Sequence, residues 1–242
     1  MKRHGQNVTG KMLRAKCCGQ KSCRQNVCKV YIREVEALAK QIEGVYEQIL
    51  SCAMTEFLEK GYTDASLRDI AAKAGTTTGS IYTRFGDKEG LFEAIVGTHY
   101  WYLTEKFKNA LAEFYKLPDE EKPERMGKIS QNCMKEMLQY GLAHQKEFYL
   151  ILCKSEGTRF SGMLDEFIEA EIRSTDDYLE TLAKLGRPAP EISPHLKHII
   201  VTAMFNGFFE MIIHNMPPKE AESYLKELNL FFEAGWAKIM GQ

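Results

Sequence analysis

The sequence has no uninterrupted apolar run long enough to cross a bilayer. Its longest apolar stretch, Ile199–Ile213, is broken by Thr202, Asn206, Gly207 and Glu210, whereas a transmembrane helix needs about 20 mainly apolar residues. The N-terminus is basic but lacks the apolar core of a secretory signal. From these two absences we expect a cytoplasmic protein without a membrane partner.

The sequence also lacks the short motifs of the common catalytic chemistries. It contains no nucleophile elbow, metalloprotease helix, phosphate-cradling glycine loop or dinucleotide fingerprint. The threonine-rich stretch from Gly75 to Gly79 does not follow a strand pattern, so we do not interpret it as a phosphate loop. An enzyme is therefore a weakly supported class, and we expect no cofactor.

Strand patterns, internal repeats and low-complexity tracts are missing as well, which favours an all-helical fold. The chain has 242 residues, of which 44% are hydrophobic and 27% are charged, as in ordinary globular proteins. A chain of this length can bury a sizeable core without help from disulfides or metals.

Basic residues are concentrated at the start of the chain, where acidic residues are missing. Residues 1–33 contain nine basic side chains and no acidic one, whereas the rest of the chain has a net charge of −10. A basic arm on an acidic body indicates a polyanionic partner, and the alternative is a solvated, disordered tail. The arm also holds Cys17, Cys18, Cys23 and Cys28. Because adjacent cysteines chelate one ion poorly, we expect no metal there.

Two short amphipathic segments flank a tight break in SLRDIAAKAGTTTGSIYTRFGDKEGL, which begins at Ser66. Ser66 and Asp69 have the spacing of a capping box, in which each side chain bonds the other residue's backbone N–H. Gly75 supplies the left-handed residue that commonly ends a helix, and the threonines after it offer hydroxyls that cap a second helix. The pattern predicts a helix-turn-helix; an ordinary helical hairpin in a core is the alternative.

An apolar stripe at helical spacing precedes this stretch, from about Tyr31 to Lys60, and Gly61 ends it. This helix should brace the two helices of the motif from behind, giving a compact three-helix domain over residues 34–96. A fourth helix begins after Asp87 and should connect that domain to the body, residues 97–242.

The second helix of the motif, from Thr77 to Phe85, should expose polar side chains. A recognition helix places such side chains against base edges while neighbouring residues grip phosphates. Gly79 lets the backbone approach DNA closely, Arg84 can pair with guanine or hold a phosphate, and the Tyr82 hydroxyl can reach a phosphate. The candidate DNA-contacting residues are Arg68, Thr76, Thr77, Thr78, Gly79, Ser80, Tyr82, Thr83, Arg84 and Lys88.

Residues 45–96 resemble the DNA-binding domain of the tetracycline-repressor (TetR/AcrR) family. The matching residues are Gly61-Tyr62, Ser66 to Ala71, Gly75, Gly79 to Tyr82, Phe85 and Lys88 to Phe92. The resemblance implies that Tyr82 and Lys88 clamp phosphates and that Arg68 can also reach DNA. It implies base-facing roles for Thr77, Thr78, Gly79, Ser80 and Thr83. Thr76 and Arg84 depart from the family pattern, which leaves the operator sequence open.

The middle of the chain predicts helices rich in methionine and aromatic residues. Helical spacing alone places these side chains in a core. The resemblance implies a pocket among them for a small apolar or amphipathic effector, whose binding would tilt the fourth helix. The candidate pocket residues are His99, Leu103, Met134, Met137, Phe148, Met163 and Phe167. His99 is also a candidate for transmitting the change, although a plain packed or exposed histidine is the simpler interpretation.

The last two predicted helices are apolar on more than one side and are candidates for a dimer interface. Two DNA-reading domains about 34–36 Å apart would read successive major grooves, so dimerisation is part of the predicted function. The candidate interface residues are Met204, Phe208, Met211, Leu228, Phe232 and Trp236; the alternative is that both faces belong to the monomer core. His195 and His198 share one helix face without a nearby carboxylate or cysteine, and we expect no metal there.

These patterns and the family resemblance together predict an all-α protein with a helix-turn-helix DNA-binding domain followed by an effector-binding and dimerisation domain. The predicted function is a homodimeric transcriptional regulator, a repressor that leaves its operator DNA when a small molecule binds. An architectural DNA-binding protein without an effector is the main alternative, and a helical enzyme is a weaker one. Release of DNA by small lipophilic compounds would favour the switch.

Overall fold

The computed structural model describes the backbone of residues 21–241 and the side chains of residues 43–241. Within that part of the chain all regular structure is α-helical, which confirms the predicted fold class. The helices are α1 (Lys21–Asp64), α2 (Leu67–Lys73), α3 (Thr78–Phe85), α4 (Lys88–Tyr115), α5 (Lys122–Ala143), α6 (Gln145–Cys153), α7 (Met163–Lys184), α8 (Pro194–Ile213) and α9 (Pro218–Ile239).

Two features of the structure bear on the expected division of the chain. Helix α1 begins at Lys21 rather than near Tyr31, so it includes part of the expected arm. Residues 1–20, with Cys17 and Cys18, lie outside the described residues, and so do the side chains of the other two arm cysteines. Residues Gln48–Gln242 pack as one compact unit, and α4 runs without a break across the expected boundary at residues 96 and 97. The helices on the two sides of the predicted boundary at residues 96 and 97 therefore pack together without a separation between domains.

The apolar stripe of α1 forms the core of the head, the name used here for residues 48–96. Ile49, Ala53 and Phe57 on α1 are fully buried, as the helical spacing predicts. The ring of Phe57 packs edge-on against that of Phe92 on α4, with 5.1 Å between centroids. Gly61 interrupts α1 in the left-handed region, with a φ of 77° that favours glycine. The head is thus built on α1 and on the first turns of α4.

In the body, α4 packs on α5, α6 and α7, and α8 packs on α5, α6, α7 and α9. Phe107 of α4 stacks on Phe167 of α7, with ring centroids 4.6 Å apart, and meets Phe205 of α8 edge-on at 5.6 Å. Helix α4 therefore belongs to both cores, because its first turns complete the head and its second half packs in the body.

Helix α8 is the most apolar described element. It has 20 residues and a mean hydropathy of 1.4, so by length and composition alone it could cross a membrane. The apolar run was expected to be too short to cross a membrane. That expectation was wrong about the number of residues, because the helix begins at Pro194. Val201, Phe205 and Phe208 on α8 are fully buried among the other helices, as in the core helix of a globular body.

The head also touches the body through the segment between α6 and α7, residues 154–162, called the α6–α7 segment below. The Tyr62 backbone N–H donates to the Lys154 carbonyl at 2.8 Å, and the Thr63 hydroxyl donates to the Glu156 carbonyl at 3.2 Å. The Arg159 backbone N–H donates to the Glu89 carboxylate at 3.2 Å. Two elements of the body, α4 and this segment, therefore hold the head, whereas the sequence predicted only the first.

Candidate DNA-binding surface

Helix α2 begins with half of the predicted capping box. The Ser66 hydroxyl accepts the Asp69 backbone N–H at 3.3 Å, as predicted. The Asp69 carboxylate does not accept the Ser66 backbone N–H, which would complete the box. It pairs with the Lys60 ammonium at 3.2 Å. The Ser66 backbone N–H is instead hydrogen-bonded to Glu56. The start of α2 is therefore tied to α1 rather than closed on itself.

Glu56 is a structural residue of the head that the sequence reasoning missed. Its carboxylate is fully buried, receives a hydrogen bond from the Lys73 ammonium at 2.7 Å, and lies 2.5 Å from the Lys60 ammonium. The hydrogen bonds from Lys60 and Lys73 outweigh the cost of burial and lower the pKa of Glu56 to about 2. The Glu56–Lys60 spacing of four residues was visible in the sequence, whereas Lys73 is brought there by the fold.

The turn and the caps of α3 agree with the sequence interpretation. Gly75 has a φ of 63°, and the Thr77 hydroxyl accepts the Ser80 backbone N–H at 3.2 Å, so Thr77 caps α3. Gly86 ends α3 with a φ of 82°, and the Asp87 carboxylate caps α4 by accepting the Gly90 backbone N–H at 2.7 Å. The recognition helix is thus held at both ends by bonds that its own sequence supplies.

The polar face of α3 is open to solvent, and its apolar face is not. Ile81 is fully buried, whereas Tyr82 is 54% exposed. Thr83 and Arg84 are exposed and are bonded along their own helix: the Thr83 hydroxyl donates to the Gly79 carbonyl at 2.8 Å, and Arg84 donates to Ser80. Such exposed bonds contribute only about 0.5–1.5 kcal/mol each, so a DNA partner can replace them.

The remaining candidates surround this face with different degrees of exposure. Arg68 on α2 is exposed, whereas Thr76 in the turn and Thr78 at the start of α3 are half-buried. The Thr77 hydroxyl is occupied by its capping bond, which leaves the Thr77 methyl group as its candidate base contact.

Lys88, the first residue of α4, links that helix to the end of α1. Its ammonium donates to the Thr63 carbonyl at 2.9 Å and lies 4.9 Å from the centre of the Tyr62 ring. Burial lowers the pKa of Lys88, and the nearby Asp64 carboxylate opposes that shift. Because an ammonium has three N–H donors, the bond to Thr63 leaves two for a phosphate.

A cavity with a volume of about 470 Å³ lies in the body. Its walls come from α4, α5, α7, α8 and α9. The lining side chains include Phe107, Leu111, Phe114, Met126, Ile129, Cys133, Met134, Glu171, Tyr178, Arg187, Met204, Phe205, Phe232 and Trp236. This cavity is called the body cavity below.

The predicted effector residues lie mostly elsewhere. Of the seven candidates, Met134 lines the body cavity, and Met163 lines a smaller cavity of about 220 Å³. Leu103, Met137, Phe148 and Phe167 are buried core residues, and His99 is half-buried beside Tyr140. The sequence did not indicate the position of the cavity because a helical pattern does not reveal where packing is incomplete.

Among the ionisable groups that line the body cavity, Glu171 and Cys133 have strongly raised pKa values. Burial raises the pKa of the Glu171 carboxyl to about 7, and burial raises the pKa of the Cys133 thiol to about 12. The thiol is therefore protonated and a poor nucleophile at neutral pH. The Glu171 carboxyl faces a mostly apolar space, where an ionised group is costly without a positive partner.

The predicted interface residues lie mostly in the interior of one chain. Phe208 and Met211 are fully buried in the core of the body, Met204, Phe232 and Trp236 line the body cavity, and Leu228 is half-buried. The large apolar side chains that are exposed on α8 and α9 are Leu196, Ile199, Tyr224, Leu230 and Phe231. The sequence could not choose between these sides because α8 is apolar nearly all round.

Comparison with known proteins identifies the domain that contains this surface. The family model described as "Bacterial regulatory proteins, tetR family" matches residues 49–95. The HTH-type transcriptional regulator YvdT of Bacillus subtilis is 45% identical over 58 residues, 24% of this chain and 30% of that protein. The HTH-type transcriptional repressor BepR of Brucella suis is 45% identical over 51 residues, 21% of this chain and 24% of that protein. The chain therefore spans less than a third of the length of these two relatives.

One solved structure extends the likeness beyond the head. PfmR, a TetR family transcriptional regulator from Thermus thermophilus, aligns with 76% of this chain and 96% of its own, with a TM-score of 0.50 and 20% identity. At that identity the likeness concerns the fold alone. The helix-turn-helix geometry and the family match agree that residues 49–95 form a DNA-binding domain of the tetR family, and the shared fold extends over most of the chain.

Proposed function

We propose that this protein is a homodimeric repressor that reads its operator with α3 and releases it when an amphipathic small molecule fills the body cavity. The observation that carries the proposal is the fixed presentation of α3. Thr77 and Gly86 define its two ends, and its polar face, with Tyr82 54% exposed, is turned to solvent. A rigid, exposed helix of this kind fits the major groove of duplex DNA.

The proposal that this protein represses transcription is based on a relative. BepR, which is 45% identical to this chain over 51 residues, is named a transcriptional repressor. A protein that acts on chromosomal operators works in the cytoplasm of a bacterium, and we propose that location here.

Dimerisation is supported by the exposed apolar side chains of α8 and α9. Phe231 is 72% exposed, Leu230 is 68% exposed and Ile199 is 62% exposed. Large apolar groups gathered on neighbouring helices are typical of a surface that another protein covers. A second copy of this chain would supply the second recognition helix, because a single head would bind one half-site weakly.

The body cavity supports an effector site. Its volume of about 470 Å³ lies within the range of about 300–1,000 Å³ that is usual for small-molecule sites. Its aromatic and methionine walls suit an apolar body, and Glu171 suits a hydrogen-bond donor or a basic group on the ligand.

Helix α4 offers the route from the cavity to DNA. Phe107 lines the cavity, and Phe92 lies in the core of the head. Fifteen residues of continuous helix, about 22 Å, connect them. A ligand that binds the tilted form of α4 more tightly than the other form shifts the equilibrium by that difference in affinity and moves the head.

The proposal is tested by titrating the purified protein into a labelled duplex from the region upstream of its own gene. We expect Arg84→Ala and Tyr82→Ala to weaken binding at least tenfold. Arg173→Ala is the matched control, because Arg173 is an exposed arginine on α7, away from α3. Equal binding by the wild type and both α3 variants would refute reading by α3.

The effector is tested with the same duplex. A panel of lipophilic amines and neutral lipophilic compounds is added to the preformed complex, and release is measured by fluorescence anisotropy. We expect release by amphipathic compounds that fit the body cavity, and no release in a variant whose cavity is filled. Indifference to the whole panel would favour the architectural alternative, a DNA-binding protein without an effector.

A further inference from the structure

A cluster of potential metal ligands lies where α4 meets the corner between α5 and α6. His99 comes from α4, His144 is the residue between α5 and α6, and Glu147 lies in the first turn of α6. Each offers one ligand atom, and these three atoms lie within 4.8 Å of one another. All three side chains are half-buried. None of the three lines the body cavity, so this cluster is separate from the proposed effector site.

The backbone and a hydrogen bond hold these groups in place. The His144 N–H donates to the Gly141 carbonyl at 3.2 Å, and its carbonyl accepts the Phe148 N–H at 3.1 Å, so the corner is fixed on both sides. His144 and Glu147 are three residues apart, which brings their side chains to one face of the turn.

His99 is oriented by a second bond. Its Nδ1 is hydrogen-bonded to the Tyr140 hydroxyl at 3.0 Å, and its ring centroid lies 4.3 Å from that of His144. Metal-bound imidazoles use one ring nitrogen for the ion and hydrogen-bond through the other. The Tyr140 hydroxyl supplies that second interaction and leaves Nε2 for the ion.

We propose that His99, His144 and Glu147 bind one divalent transition-metal ion, with Zn²⁺ the best match and a water molecule at the fourth position. Two imidazoles and one carboxylate are a donor set that Zn²⁺ accepts in tetrahedral sites. Mg²⁺ and Ca²⁺ prefer oxygen ligands alone, so the two histidines disfavour them. With Zn–N distances of about 2.0–2.1 Å the ligand atoms would lie about 3.4 Å apart, which small side-chain rotations achieve from the present positions.

The bound ion would clamp the two elements that hold the head. His99 lies 11 residues, or about 16 Å of helix, beyond Lys88 at the start of α4. Glu147 lies on α6, which leads directly into the α6–α7 segment and its contacts with Tyr62 and Thr63. The ion gives this regulator an input that is independent of the body cavity.

The test is a titration of the metal-free, full-length protein with Co²⁺ as the visible probe, followed by displacement with Zn²⁺. We expect one ion per protomer at this site, with the ligand-field bands of a tetrahedral nitrogen and oxygen site. His99→Ala and His144→Ala should weaken binding about a hundredfold or more. His195→Ala is the matched control, because His195 is exposed on α8, and it should bind as the wild type does.

The spectrum separates this site from the cysteines of the arm. An ion held by Cys17, Cys18, Cys23 or Cys28 would give an intense thiolate-to-cobalt charge-transfer band. The proposal would be overturned if this band were the only cobalt signal, with no ion in a nitrogen and oxygen site, and if His99→Ala left the band unchanged. So would the absence of any bound Co²⁺ in the wild type.

A conservative variant keeps the test decisive if a histidine variant fails to fold. Glu147→Gln preserves the shape of the side chain and removes the anionic ligand, so we expect at least a tenfold loss of Zn²⁺ affinity. Zn²⁺ should raise the Tm of the wild type and of His195→Ala and leave the Tm of the ligand variants nearly unchanged. Equal Zn²⁺ stabilisation of wild type and Glu147→Gln would refute the site, whatever the outcome of the DNA-binding tests.

Discussion

The ammonium of Lys88 donates to the backbone carbonyl of Thr63 at 2.9 Å, joining the first residue of α4 to the end of α1. The same side chain occupies a position for which the family resemblance implies a phosphate clamp. The two roles are compatible, since one of its three N–H donors is used within the protein and two can reach a phosphate. Lys88 can therefore hold the head together and still make the phosphate contact that the family resemblance implies.

Lys88→Met should affect both stability and DNA binding. We expect the free energy of unfolding to fall by about 0.5–1.5 kcal/mol, because the Thr63 carbonyl loses its partner. We also expect the slope of log Kobs against log salt to become shallower by about 0.9, the contribution of one phosphate contact. Urea unfolding and anisotropy titrations at several salt concentrations measure these effects. An unchanged salt slope would assign Lys88 a structural role only.

Glu56 should make the head sensitive to acid. Its pKa is lowered to about 2 in the folded protein, from an ordinary value of 4.5, so its stabilising effect is complete above about pH 4.5 and is lost as the pH falls toward 2. Glu56→Gln should be less stable at pH 7 by about 1–3 kcal/mol, and the difference from wild type should shrink below pH 4.5. Glu227→Gln, at an exposed position on α9, is the control. A difference that stays constant with pH would contradict this role.

Glu171 should have the opposite pH dependence. Its pKa is raised to about 7 in the folded protein, so the folded state holds a proton that the unfolded state has lost between about pH 4.5 and 7. Stability therefore falls as the pH rises through that window. Glu171→Gln should be more stable than wild type by about 1–3 kcal/mol at pH 8 and nearly equal to it at pH 4. Glu169→Gln, exposed on α7, should show no such trend in thermal unfolding at matched pH values; a like trend there would refute the assignment.

The exposed residues of α8 and α9 should control dimerisation. Phe231→Glu and Ile199→Glu place a charge on side chains that are 72% and 62% exposed in one chain, and we expect both variants to become monomeric without losing their helical content. Phe208→Ala instead leaves a hole in the core and should cost about 3–5 kcal/mol of stability. Sedimentation velocity separates these effects. A fully dimeric Phe231→Glu protein would place the interface elsewhere.

The parts of this structure that depend on near neighbours in the chain could be predicted from the sequence. The caps at Thr77 and Asp87 and the turn at Gly75 each involve residues within four positions of one another, so their chemistry is readable directly. The predicted helix-turn-helix is confirmed for this reason. The capping box was only half right, because Glu56 competes for the Ser66 backbone N–H.

Features that depend on distant residues could not be predicted. Lys73 reaches Glu56 across 17 positions, and His99 lies beside Tyr140 across 41 positions. A periodic pattern states that a residue is apolar and on a helix, but it contains no information on which neighbour covers it. That is why Phe208 was expected at an interface and lies in the core.

Helix α4 forms one wall of the body cavity and also a part of the head, so on the proposed function a change in the volume of the cavity would alter how the head responds to an effector. On the proposed function, a natural variant with a bulkier residue at Ala110, which lines the cavity, would exclude the effector and stay on its operator. Mutations that arise under selection against the response to an effector should therefore concentrate in the cavity wall and leave the recognition helix unchanged.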